Sequence, residues 1–153
     1  MLTGVTIMQM AEKMDAGPIV AQARIEIAQE DWPPKGLLLS EMLFVEGVNL
    51  LAEVLPEYLA GTLKLEEQEE SKATYTKKFG DEDALVDLEG NARQNFLKIR
   101  AFDRDPSAHF TTPKGKRVII TEAEFKDGKL SILKVLPEGK KEMPYEDFLR
   151  GQR

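Results

Sequence analysis

Cysteine is absent from these 153 residues. That removes disulfides, thiolate nucleophiles and thiolate metal sites, and it is compatible with a reducing compartment. Histidine occurs once, as His109, and tryptophan once, as Trp32. With neither Cys nor a second His, the chain holds no metal-ligand cluster of the usual spacing. No apolar run approaches the roughly 20 residues that a membrane helix needs. Met1-Leu2-Thr3 leads directly into a strand-like run, without the basic segment and apolar helix of a signal peptide. A Gly-rich phosphate loop, a Ser/His/Asp arrangement, internal repeats and low-complexity tracts are also missing. The expectation from these absences is a cytoplasmic protein with no metal and no membrane partner.

What is present is enough for a core. Apolar residues make up 42% of the chain and charged residues 31%, with a net charge of −6, a balance that suits one folded domain or two small ones. The charge is uneven. Residues 107–153 carry ten Lys and Arg against seven Asp and Glu, whereas the preceding residues carry eleven against twenty. An acidic body repels nucleic acid, and a basic C-terminal portion can contact phosphates. An excess of three charges over that length is equally ordinary scatter.

The pattern begins with strands. Gly4–Met10 is short, apolar and rich in Val and Ile, and 18–28 alternates through Ile19, Ala21, Ala23, Ile25 and Ile27. Pro33-Pro34-Lys35-Gly36 breaks the chain before Leu37, Leu38, Met42, Val45, Val48, Leu51, Leu55 and Leu59, which recur at helical steps. This predicts two helices, or one bent at Gly47, ending at Gly61. Residues 63–87, with Glu66-Glu67-Gln68-Glu69-Glu70, read as a charged connecting segment. Asn91 is placed to cap a helix with Phe96, Ile99 and Phe102 on one stripe. Two strand-like runs, 117–125 and 129–136, flank the hairpin signal Asp127-Gly128, and 145–150 reads as a short terminal helix.

The chemistry-bearing stretch is Gly4-Val5-Thr6-Ile7-Met8-Gln9-Met10 followed by Met14-Asp15-Ala16-Gly17-Pro18-Ile19-Val20. An apolar run feeds a polar loop that ends in Asp-x-Gly-Pro before a second apolar run. A strand end is rigid and glycine allows a close chain reversal, so Asp15 is suited to sit as a carboxylate at the lip of a sheet. An Asp before a glycine is also an ordinary turn residue.

These residues resemble a recurrent stretch of the folate-dependent formyltransferases, in which the matching Asp is catalytic. Later segments are similar to successive landmarks of the methionyl-tRNA formyltransferase family in the same order. They are Gln68-Glu69-Glu70-Ser71-Lys72-Ala73-Thr74-Tyr75 with Lys78, then Ile99-Arg100-Ala101-Phe102, then 137–143 with Asp147-Phe148-Leu149-Arg150-Gly151. The resemblance implies an α/β fold with three parts. Residues 1–62 would be the C-terminal part of a Rossmann-like catalytic domain, 63–90 a linker, and 91–153 a shortened, β-barrel-like (OB-like) C-terminal domain.

It further implies formyl transfer from 10-formyltetrahydrofolate to the amine of methionyl initiator tRNA, in translation initiation and one-carbon metabolism. Amine attack on the formyl carbon builds an oxyanion, which donors such as a His and an Asn stabilise while an Asp orients the His or moves the amine proton. Asp15 takes the catalytic position. Ala11, Glu12, Lys13 and Met14 match the folate-lining loop, and Arg117, Lys140 and Lys141 are the expected tRNA contacts. The Lys140-Lys141 pair reads nearly as well as a solvated hairpin end.

The resemblance also locates the catalytic Asn and His of the family in a segment upstream of residue 1, so this piece alone is expected to be inactive and to self-associate through exposed strands. The chain departs from the family at Ala11, Lys13 and Ala16, where Asp, Gly and Thr are usual. It departs again at Asp103-Arg104-Asp105-Pro106, where Asn-Pro-Trp-Pro is usual. His109 matches no family catalyst and reads as structural. Other readings are a non-catalytic module that binds tRNA or a partner, or a glycinamide ribonucleotide formyltransferase, which Gly17-Pro18-Ile19-Val20-Ala21-Gln22 resembles.

Overall fold

The structure, a computed structural model, describes residues 1–152. The chain divides into two units, one formed by 1–32 with 38–76 and the other by 33–37 with 77 onward.

The first unit is built on a two-stranded antiparallel sheet. Strand β1 (Leu2–Met8) pairs with β2 (Ile19–Glu26), with Leu2 opposite Glu26 and Val5 opposite Ala23. Helix α1 (Gly36–Leu59) belongs mostly to this unit. It is one helix, not two. Gly47 costs only about 1 kcal/mol relative to Ala, and although Val45, Val48 and Asn49 beside it are modest helix formers, the Leu, Met, Glu and Ala residues of the neighbouring turns favour a continuous helix. A side chain there would also press on Val5, since an added Cβ would lie 3.3 Å from Val5 Cγ2. After Leu59 the Gly61 amide donates to the Tyr58 carbonyl and the Thr62 amide to the Glu57 carbonyl, closing the helix with a paired reversal. Despite its apolar stripe, α1 buries no residue, and Phe44 remains 71% exposed. Of this unit's apolar residues only Ile27 is buried.

The second unit contains the core. Helix α2 (Ala92–Ala101) starts where expected, with the Asn91 Oδ1 accepting from the Gln94 amide at 3.0 Å. Four strands follow in sequence order, each antiparallel to its neighbour: β3 (His109–Thr111), β4 (Arg117–Lys126), β5 (Lys129–Pro137) and β6 (Met143–Pro144). Asp127 and Gly128 form the β4–β5 turn with φ of 51° and 76°, which is why that dipeptide stands there. Strands β3 and β6 have three and two residues, too short for any alternation to show in the sequence. Val118 and Val135 are fully buried among Val86, Ile99, Ala108, Phe110, Ile120 and Phe148. Helix α3 (Tyr145–Arg150) supplies Phe148, whose ring meets that of Phe110 edge-on at 6.0 Å. Among the described residues no helix is long and apolar enough to cross a membrane.

Candidate active site

The Asp15 loop occupies 9–18, between β1 and β2, and is held as a backbone-bonded turn. At its base the Gln9 amide donates to the Pro18 carbonyl at 2.9 Å. Gly17 sits so close to this closure that a Cβ on it would lie 1.8 Å from the Gln9 carbonyl oxygen. Only glycine fits that approach. Asp15 itself adopts φ of 54°, the left-handed region that Asp tolerates better than most residues but that still costs on the order of 1 kcal/mol.

That conformation is supported from a distant stretch of sequence. The Gln68 Nε2 donates to the Asp15 carbonyl at 2.9 Å and to the Gly17 carbonyl at 2.7 Å. Two neutral hydrogen bonds are each worth about 0.5–1.5 kcal/mol net, which matches or exceeds the cost of the strained residue. Two residues earlier, Glu66 exchanges both backbone hydrogen bonds with Ile19, at 2.8 and 3.0 Å. Two residues later, Glu70 pairs with the Lys13 ammonium. The Glu70 hydrogen bond and charge hold the Lys13 pKa above its ordinary value. The pair is well exposed, so water screens it and it adds less than the two amide contacts.

The expected folate-contacting residues Ala11, Glu12, Lys13 and Met14 all lie on the exposed part of this loop beside Asp15, whose side chain is also open to solvent. One carboxylate in that position can accept a proton or orient an imidazole. The remaining expected contacts lie elsewhere, in the second unit. Arg117 is occupied within the protein, with Nη1 at 2.8 Å from Asp81 Oδ1 and Nη2 donating to the Ser107 carbonyl at 3.4 Å. Lys140 and Lys141 are exposed in the reversal after β5.

His109 is buried, with Nδ1 at 2.9 Å from the Ser107 carbonyl and Nε2 at 3.4 Å from Asp81 Oδ2. A carbonyl oxygen only accepts, so a proton resides on Nδ1. Asp81 lies between His109 and Arg117, and its ion pair with Arg117 ties the short turn Asp81–Ala84 to the sheet of this unit, whereas His109 donates to it only when Nε2 also carries a proton. Among the described residues no group of three or more His, Asp or Glu is placed to hold a metal ion.

The sequence reading named Asp15 and its loop as site residues, and Gln68 only as the first residue of the family-like stretch 68–75, without a role. A second signal was its one uncharged amide inside the acidic run 66–70.

Residues 1–38 match the family described as formyl transferase. Methionyl-tRNA formyltransferase from Lactobacillus johnsonii is 34% identical over 98% of this chain and 54% of its own length. The chain therefore spans about half the length of the curated relatives it matches. Among solved structures, methionyl-tRNA formyltransferase from Clostridium thermocellum aligns with 89% of this chain and 56% of its own, at a TM-score of 0.64 and 19% identity. HypX from Aquifex aeolicus, in complex with tetrahydrofolic acid, aligns with 97% of this chain and 30% of its own, at a TM-score of 0.66 and 20% identity. At such identities the structural matches speak for an α/β fold like that of the formyltransferases.

Proposed function

Because the chain belongs to the formyltransferase family and spans about half the length of the methionyl-tRNA formyltransferases it matches, we propose that it supplies the Asp15-bearing and C-terminal portions of an enzyme that formylates methionyl initiator tRNA. The donor is 10-formyltetrahydrofolate. The observation that carries this reading is the extent of the relationship: the similarity runs over 98% of the chain and so takes in both units. A relative sharing only the folate loop would match the first unit alone. In this reading residues 11–14 line the donor, Asp15 is the carboxylate that orients an imidazole or accepts the amine proton, and Lys140 and Lys141 meet tRNA phosphates. Residues 91–153 correspond to a shortened OB-like domain, 63–90 to the linker before it, and the setting is cytoplasmic.

These 153 residues on their own are not expected to turn over. Their one imidazole, His109, is buried in the second unit and engaged by Ser107 and Asp81. A missing acid–base group is worth roughly 10²–10⁴ in rate and each missing oxyanion donor about 10²–10³. That same observation favours a second reading, a non-catalytic module that keeps the binding surfaces. The test is to titrate the labelled chain with tetrahydrofolate and with initiator tRNA, and to assay formyl transfer alongside. Folate-dependent shifts confined to 9–18 support the folate site. A salt slope of tRNA binding that falls by roughly 1.5 in the doubly substituted Lys140→Ala, Lys141→Ala chain supports the phosphate contacts. Binding of both without turnover favours the module. No shift in 9–18 at saturating tetrahydrofolate overturns the folate site.

A further inference from the structure

The amide of Gln68 is aimed at two backbone carbonyls of the loop that carries Asp15, and it reaches them from more than fifty residues away in sequence. The segment holding it is joined to the first unit by the Ile19–Glu66 backbone pair on one side and the Lys13–Glu70 ion pair on the other. Neither flanking contact touches Asp15. Gln68 is the one residue of this segment whose side chain donates to Asp15 or Gly17.

The geometry points to Gln68 as a positioning residue: its side-chain amide latches the 66–70 segment onto the 15–17 turn and holds Asp15 in its left-handed conformation, which fixes where the carboxylate is presented. Only a donor can do this, because both partners are carbonyl oxygens. A carboxylate of the same shape has no hydrogen to offer at neutral pH and would meet both oxygens with like partial charge. The latch makes the linker a component of the site, so whatever frees 66–70 also releases Asp15. Its relevance to folate rests on the reading given under the proposed function; the latch itself does not.

The discriminating variants are Gln68→Glu, which keeps volume and removes the donors, and Gln68→Ala, which removes both. Each is compared with the unaltered full chain by backbone chemical shifts of residues 13–18, which report φ, and by amide exchange at Ile19 and Glu66. Loss of two neutral hydrogen bonds predicts exchange faster by about tenfold or more, with the shifts of Asp15 leaving the left-handed range in both variants. A space-filling role would instead leave Gln68→Glu close to the unaltered chain and move only Gln68→Ala. That pattern, or no change in either variant, overturns the proposal. A parallel tetrahydrofolate titration separates the two levels. If the unaltered chain does not bind, the folate reading fails while the shifts and exchange still decide the latch. If it does bind, Gln68→Glu should weaken binding in step with its loss of the Asp15 conformation, and affinity unchanged in a chain whose loop has opened overturns the link between latch and site.

Discussion

Gly17→Ala is the substitution with the clearest structural magnitude. An added Cβ would lie 1.8 Å from the Gln9 carbonyl oxygen and 2.9 Å from its carbon. A carbon–oxygen contact needs more than 3 Å, so the turn must open by over 1 Å, and the obstacle is backbone that cannot rotate aside as a side chain can. The displaced atoms belong to residues that carry the loop's own bonds, Gln9 amide to Pro18 carbonyl and Gln68 amide to Gly17 and Asp15 carbonyls. Three bonds at about 0.5–1.5 kcal/mol each put the local cost near 1.5–4.5 kcal/mol. The loss should be local, because the hydrophobic core belongs to the second unit. Amide exchange is the assay: Gln9 and Ile19 should lose protection by tenfold or more, with the amides of β4 and β5 unchanged. Asp15→Gly is the matching control, since it relieves the left-handed residue while keeping every backbone bond, and should leave Gln9 protected. Equal protection of Gln9 in Gly17→Ala and in the unaltered chain would refute the close approach on which the argument depends.

In a context competent for formyl transfer, Asp15→Asn should lower kcat by roughly 10²–10⁴ with little change in KM or in thermal unfolding. A change below about threefold would leave Asp15 as a turn residue, since Asn serves turns equally. Val135→Ala removes two methyl groups from a fully buried site and should cost the second unit about 1.5–3 kcal/mol. Leu51→Ala on the exposed face of α1 should cost less than about 0.5 kcal/mol, and both are read by chemical denaturation of the full chain. Asp83 is held below the ordinary carboxylate range, first by the Lys77 hydrogen bond and then by the Gly80 amide. Its contribution is therefore present above the unfolded-state pKa near 3.9 and lost as pH falls through the lower folded value. Asp83→Asn should flatten the stability curve of the second unit below about pH 4 and leave its slope between pH 6 and 8 unchanged.

Local chemistry made much of this fold readable. Asn91 caps because its oxygen lies within reach of the Gln94 amide, Asp127-Gly128 turns because both residues tolerate positive φ, and the end of α1 follows from Gly61. Each signal is complete within a few residues. What escaped was non-local or too short to have a period. Strands β3 and β6 exist because β4 and β5 offer free edges, and the Asp81–His109–Arg117 cluster needs three segments brought together. Of the two helical readings, two helices gave way to one helix running through Gly47, because a single glycine is a weak local cost.

The candidate site divides along the same line. Asp15 and its glycine were legible because a turn with one possible close approach must be written with that residue, wherever the rest of the fold goes. Gln68 was not, because the reason for an amide at that position lies in two carbonyls more than fifty residues earlier. An acidic neighbourhood hides it further, since Glu66, Glu67, Glu69 and Glu70 all read as solvated charge. Yet the same crowding explains the choice of residue. A fifth carboxylate there would repel its neighbours and the carbonyls alike, whereas a neutral amide brings hydrogens without charge. The polar residue that departs from the local charge pattern is thus the one to test first, and here it is the residue that touches the loop.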